Sequence, residues 1–196
     1  MKDERIDAPA SDSAGGGFVR FAVLMFLGMG AASAYLTRYC LAVANTTMQK
    51  DLDISEEQMG WVFAIFSAGY FFFQIPGGWL GNRIGTRTAY PLISTLWSVL
   101  TVWSSLVWSW VPLLASRAAF GAAQAGMVPI TAKVINDWFS VRLRGICSGV
   151  IGASMSIGSV ITMKLTAWLI GSGGLGIHWR VVFRLYSVVG IVWAIL

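Results

Sequence analysis

The sequence predicts an all-α membrane protein with six transmembrane helices, and three observations carry that expectation. Of 196 residues, 56% are hydrophobic and only 12% charged, against about 25% charged in soluble domains. Charge-free windows recur: residues 58–82 hold 25, residues 88–116 hold 29 and residues 145–163 hold 19, where about 20 apolar residues cross a bilayer. The basic residues gather at the ends of these windows and not in one patch, so the net charge of +5 does not indicate nucleic acid.

Residues 1–19 are polar, with GGG at 15–17, and are expected to form a disordered cytoplasmic tail ahead of a six-helix bundle over residues 20–196. Lys2, Arg5 and Arg20 face four acids there, Asp3, Glu4, Asp7 and Asp12. A secretory leader would be clearly positive, so the first helix is expected to remain uncleaved. That helix spans about residues 20–48 and is followed by the acidic loop KDLDISEE. Helix 2, about residues 58–81, ends in GNRIGTR, and helix 3 spans about residues 88–108. Pro112 suits a helix start and splits the 29-residue window, placing helix 4 at about residues 112–139. SVRLRG leads into helix 5 at about residues 145–170, and GSGGLGIH into helix 6 from Trp179.

Orientation follows from Lys and Arg in short loops. With the N-terminus inside, Lys2, Arg5, Arg20, Arg83, Arg87, Arg142 and Arg144 make seven inner cations, against Lys50 and Arg180 outside. The expectation is a multi-pass protein of a plasma (bacterial inner) membrane with a cytoplasmic N-terminus, its main surroundings the lipid bilayer.

The other five cations, Arg38, Arg117, Lys133, Lys164 and Arg184, fall inside helices. A charge at mid-bilayer costs about 2.5–3.5 kcal/mol on insertion scales, so each needs a partner, water or the interface. At about 100° per residue, Ala31, Tyr35, Arg38, Ala42 and Asn45 form a small and polar stripe on helix 1. Arg117, Gly121, Gln124 and Val128 form another on helix 4. Snorkelling of Arg38, and anchoring of Arg117 at a helix end, are the competing readings. Lys133 and Asp137, four apart, are expected to make a structural pair. Lys164 has apolar neighbours and suits either a cavity or the interface; Arg184 suits the interface.

No acid occurs between Glu57 and Asp137, or after Asp137. Two guanidinium groups facing one wet cavity repel each other. A bound anion removes that repulsion and accepts bidentate hydrogen bonds. The expected site is therefore Arg38 and Arg117 on a carboxylate, with Tyr35, Asn45, Gln124 and Lys164 around it. Cys40 and Cys147 lack metal-ligand spacing and read as buried thiols. The single histidine, His178, has no catalytic constellation around it, so neither an enzyme nor a cofactor or metal site is expected.

One stretch resembles a known family. Gly78-Trp79-Leu80-Gly81-Asn82-Arg83-Ile84-Gly85-Thr86-Arg87 looks like the helix 2–3 signature of the major facilitator superfamily. YLTRYCLAVA, GYFFFQIPGGWL, RAAFGAAQAGMVP, WFSVRLRG and HWRVVF resemble, in order, its anion:cation symporter branch, which carries sugar acids and other organic anions. The resemblance implies the N-terminal six-helix half of a twelve-helix fold, with substrate between two halves. It also implies an alternating-access transporter of sugar acids or carboxylates, with Gly78, Asn82, Arg83, Gly85 and Arg87 serving a cytoplasmic gate. The missing partner would be a C-terminal six-helix half.

Departures from the pattern fall at Asn82, Gln124, Thr37 and Leu143, where relatives carry acids. By resemblance, the helix 1 and helix 4 acids serve proton coupling, and an amide carries no proton. An organophosphate:phosphate antiporter, which needs no intramembrane acid, is the alternative. A non-transporting fragment or interaction subunit is the reading from a different class.

Overall fold

The computed structural model describes residues 14–171 and 173–196. The described residues form α1 (Ala14–Leu52), α2 (Glu56–Ile84), α3 (Thr86–Leu106), α4 (Trp110–Gln124), α5 (Met127–Trp138), α6 (Val141–Ile170) and α7 (Trp179–Ile195). α4 and α5 are one span interrupted at residues 125–126, so the described residues form a bundle of six helices, the fourth broken.

Several ends differ from the sequence expectation. α1 starts at Ala14, so residues 14–19 are helix and not tail; residues 1–13 of the expected tail lie outside the described residues. Once a helix has nucleated, adding a turn costs little, and Phe18 and Val19 join an apolar wall there. α2 starts two residues early because Ser55 and Gln58 form a reciprocal capping box. Gln58 N donates to Ser55 Oγ at 3.2 Å, and Ser55 N donates to Gln58 Oε1 at 3.0 Å. Glu56 and Glu57 then sit favourably in the first turn.

Two breaks have visible causes. Gly85 alone separates α2 from α3, with φ 82°, a backbone state that side chains disfavour. In the fourth span, Pro129 has no N–H to give the carbonyl four residues back, and Gly126 presses on Gly77. A Cβ added at Gly77 would stand 2.6 Å from Gly126 Cα.

Each of the first three helices pairs with one of the last three spans. α2 packs mainly along α4, α1 along α6, and α3 along α7. Lipid is as apolar as a leucine side chain, so these seams depend on close backbone approach by small residues. Cβ atoms at Gly69 and Gly158 would come within 2.5 Å of Ala118 O and Ala32 O. Aromatic side chains fill what remains: Trp97, Phe120, Trp179 and Phe183 are fully buried.

α1, α2, the fourth span and α6 are long and apolar enough to cross a membrane. α3 is polar in composition because its hydroxyls face inward. Ser94, Ser98, Thr101, Ser104 and Ser105 are all buried. Ser94 Oγ donates to Gly190 O of α7 at 3.2 Å, and Ser104 Oγ to Ser116 Oγ of α4 at 3.1 Å. Outward faces carry large apolar side chains, among them Phe71, Phe72, Ile75 and Trp108. A soluble monomer does not expose so much apolar surface; the chain is a multi-pass membrane protein.

Candidate functional site

Arg38 projects from the middle of α1 and is half-buried. Its guanidinium carbon lies 4.6 Å from the Phe66 ring centre, 5.2 Å from Tyr70 and 5.5 Å from Tyr35. Phe66 and Tyr70 sit one turn apart on α2 and so present both rings to one neighbour. This aromatic cage holds the cation by ring quadrupoles and leaves its N–H groups free for an acceptor. No acid partners Arg38 among the described residues.

The stripe around Arg38 opens along the helix. Ala31 is fully buried, Tyr35 and Asn45 are half-buried, and Ala42 is exposed. Asn45 Oδ1 accepts from Gln49 Nε2 at 3.0 Å, so the amide is turned along its own helix.

Arg117 differs in kind. It is 3% exposed. Its guanidinium carbon is 5.1 Å from the Phe120 ring centre and 5.6 Å from Phe183 of α7, with Cys40 of α1 beside it. Its Nε and Nη2 have no hydrogen-bond acceptor. A buried, unsatisfied cation is costly, and the nearest acids in sequence are Glu57 and Asp137, at the ends of the helices.

The two arginines meet α1 on different faces, since Cys40 lies two residues, about 200°, beyond Arg38. Between them stand Phe66 and Phe120, their centres 5.7 Å apart. Arg38 covers one ring and Arg117 the other. Aromatic rings therefore intervene where the sequence pattern led us to expect open space.

Gln124 is buried and ties α4 to α1. Its Nε2 donates to Ala34 O at 2.9 Å, and its Oε1 has no partner. A carboxylate could not make that donation. Lys164 stands exposed on α6 with no acid partner among the described residues. Lys133 Nζ lies 3.3 Å from Asp137 Oδ2, a half-exposed pair one turn apart.

The glycine-rich turn serves packing as well as reversal. A Cβ at Gly78 would lie 3.1 Å from Pro129 Cβ, and one at Gly81 would lie 2.5 Å from Ile130 Cγ1. Gly85 makes the turn. Arg83 covers the Trp79 ring at 5.0 Å. Asn82 and Arg87 are exposed.

Several contributors escaped sequence reasoning. Phe66 and Tyr70 are unremarkable in a helix that also carries Phe63, Phe71, Phe72 and Phe73; only their i, i+4 spacing singled them out. Asp51 closes the opposite end of the bundle. It accepts from Trp179 Nε1 at 3.0 Å and Arg180 Nη2 at 3.1 Å, while Arg180 Nη1 donates to Ser105 O and Val107 O. That fastening joins the ends of α1, α3 and α7. Arg184 Nε donates to Ser105 Oγ at 3.2 Å from an exposed position.

The comparisons agree with this architecture. The chain is 31% identical over 176 residues to the hexuronate transporter of Escherichia coli (strain K12), covering 90% of this chain and 40% of that protein. It is 29% identical over 177 residues to the galacturonate transporter of Dickeya chrysanthemi, covering 90% and 50%. Among solved structures, a bacterial homologue of the human lysosomal transporter Spinster, inward-facing and occupied, superposes with a TM-score of 0.75 at 24% identity. That match covers 90% of this chain and 43% of that one, and it establishes the fold alone. The chain thus spans 40–50% of the length of these curated relatives. The Major Facilitator Superfamily profile matches residues 27–196, and the chain belongs to that superfamily, with the helices of an N-terminal half.

Proposed function

We propose that this chain is the N-terminal half of a secondary active transporter of organic anions of the sugar-acid class, working by alternating access. The observation that carries the reading is Arg38: a half-buried cation, caged by aromatic rings, with no acid at its depth. Such a group attracts a carboxylate, and the cage fixes its orientation. Relatives named as hexuronate and galacturonate transporters support the substrate class.

In this reading Arg38 makes the first contact with the anion, and Tyr35 and Asn45 flank it. Arg117 and Gln124 form the buried floor, and the Phe66–Phe120 pair lies between floor and mouth. Parting those rings would let the anion feel both guanidinium groups, which links binding to a conformational step. Lys164 is the outlying member of the set. Gly78, Asn82, Arg83, Gly85 and Arg87 serve the gate on the cytoplasmic side, with the N-terminus in the cytoplasm of a bacterial inner membrane.

A missing C-terminal half is the expected partner. Support comes from the coverage of the relatives and from α6, where Cβ atoms added at Gly145, Gly149 and Gly152 would meet nothing within 4 Å. Phosphate-ester antiport remains the second reading, because Gln124 is committed to Ala34 O and a proton-carrying acid is absent there.

Counterflow into proteoliposomes by the complete gene product tests this. Sugar acids should exchange ahead of dicarboxylates and phosphate esters. Exchange of phosphate esters alone would establish the antiport reading, and no exchange of any anion would leave an interaction subunit.

A further inference from the structure

The bundle is electrically lopsided. Asp51, Asp53, Glu56 and Glu57 lie at one end, while Arg20, Arg83, Arg87, Arg142 and Arg144 lie at the other. Among the described residues the acid at the arginine-rich end is Asp137, and Lys133 holds it at 3.3 Å. At this same end α1, α3, α5 and α7 converge on a groove of about 590 Å³. Phe26, Tyr90, Trp138 and Trp193 form its walls, and Thr86 and Arg87 stand at its rim. Trp193 Nε1 is already committed to Phe26 O at 3.0 Å, so the interior is apolar in effect. Phe18 is 79% exposed beside the groove, and Ala22 is exposed within it, so it opens sideways, toward lipid. Arg87 is exposed and engages no acid among the described residues.

We infer that this groove binds an anionic phospholipid of the arginine-side leaflet, its acyl chain against Tyr90, Trp138 and Trp193 and its phosphate on Arg87. The groove is apolar within and cationic at its rim, as an amphiphile requires. An apolar cleft alone would take any acyl chain; a cation at its mouth with no acid partner among the described residues selects negative headgroups. Aromatic side chains with polar edges suit the depth where headgroup meets chain. A volume of that size lies within the ~300–1,000 Å³ range of small-ligand sites. A soluble anion would find no polar wall here. Because Arg87 is the second residue of α3, two past Gly85, headgroup charge acts beside the α2–α3 turn.

The test uses the complete gene product, purified in detergent and examined by native mass spectrometry. Phosphatidylglycerol and phosphatidylethanolamine with identical acyl chains are titrated in turn. Phosphatidylglycerol should be retained about fivefold more tightly, the size of one cation near an anionic surface. Arg87→Gln should erase that preference while acyl binding persists. Ala22→Trp, a change at an exposed position, should lose both lipids without altering elution on gel filtration. Equal retention of the two lipids, a preference that survives Arg87→Gln, or unchanged binding in Ala22→Trp would each overturn the assignment. So would a photoreactive group at residue 22 that crosslinks to another segment of the product and not to lipid.

Discussion

The α2 seam and the α6 face carry the same residue type in opposite surroundings. Glycines 69, 77 and 81 on α2 press against the backbone or side chains of the fourth span, with added Cβ atoms at 2.5–2.6 Å from the nearest atoms. Glycines 145, 149 and 152 on α6 face open space, while Ser154 and Gly158 on the same helix close on Gly28 and Ala32 of α1. Small residues favour helix association wherever they occur, so one set already has its partner and the other still presents an interface. The arginines divide the same way. Arg117 is sealed in the α4 interior, and Arg38 stands at the opening of α1.

Closing the contrast at the sealed seam should have the largest effect. Gly77→Leu forces a side chain into Gly126 and should cost more than about 3 kcal/mol, seen as loss of folded protein on gel filtration. Next comes Arg38→Ala. Losing a desolvated charge contact costs about 2 kcal/mol or more, so sugar-acid counterflow should fall about 30-fold or further with insertion and thermal stability intact. Gly149→Leu should leave this half folded, but in the complete product it should hinder packing of the second half and lower uptake about tenfold, or ~1.4 kcal/mol.

Arg117→Met should move two readouts in opposite directions. Removing an unsatisfied buried cation should raise stability by about 1 kcal/mol or more, measured by thermal unfolding in detergent, while uptake falls. Equal or lower stability would show that Arg117 has a partner in the complete protein. Lys133→Ala gives the smallest change, about 0.3–0.5 kcal/mol for a solvent-facing pair one turn apart, with uptake unchanged.

Much of the fold was legible from charge spacing. Windows of uncharged residues have the length of a bilayer crossing, so most spans could be placed within a few residues, and the glycines of GNRIGTR marked a reversal that the structure puts at Gly85. The misses have particular causes. The Ser55–Gln58 box was present in the sequence and moved the start of α2. Gly126 and Pro129 marked the break in the fourth span, but a continuous apolar pattern runs straight through a kink. α3 was harder to justify from hydropathy, because its serines are polar in composition; Ser98, Ser104 and Ser105 bond carbonyls of their own helix, and Ser94 finds one on α7 only once the bundle forms.

The candidate site was legible in part. Helical spacing placed Tyr35 with Arg38, and placed Arg117 with Gln124, since angle about a helix axis follows from residue number. It said nothing of how each helix is rotated against its neighbours. That rotation puts Phe66 and Tyr70 over Arg38, turns Arg117 toward Cys40 and Phe183, and inserts a ring pair between the two cations.

Residue order alone thus predicted a membrane protein of six helices, with cations inside otherwise uncharged helices and a reversal within GNRIGTR. Hydropathy and charge are additive along a chain, so they survive without coordinates. Which arginine is sealed and which is open, and which glycines are filled, came only from the packed bundle. Burial depends on pairs of surfaces from distant segments meeting at one rotation, and no single segment carries that information.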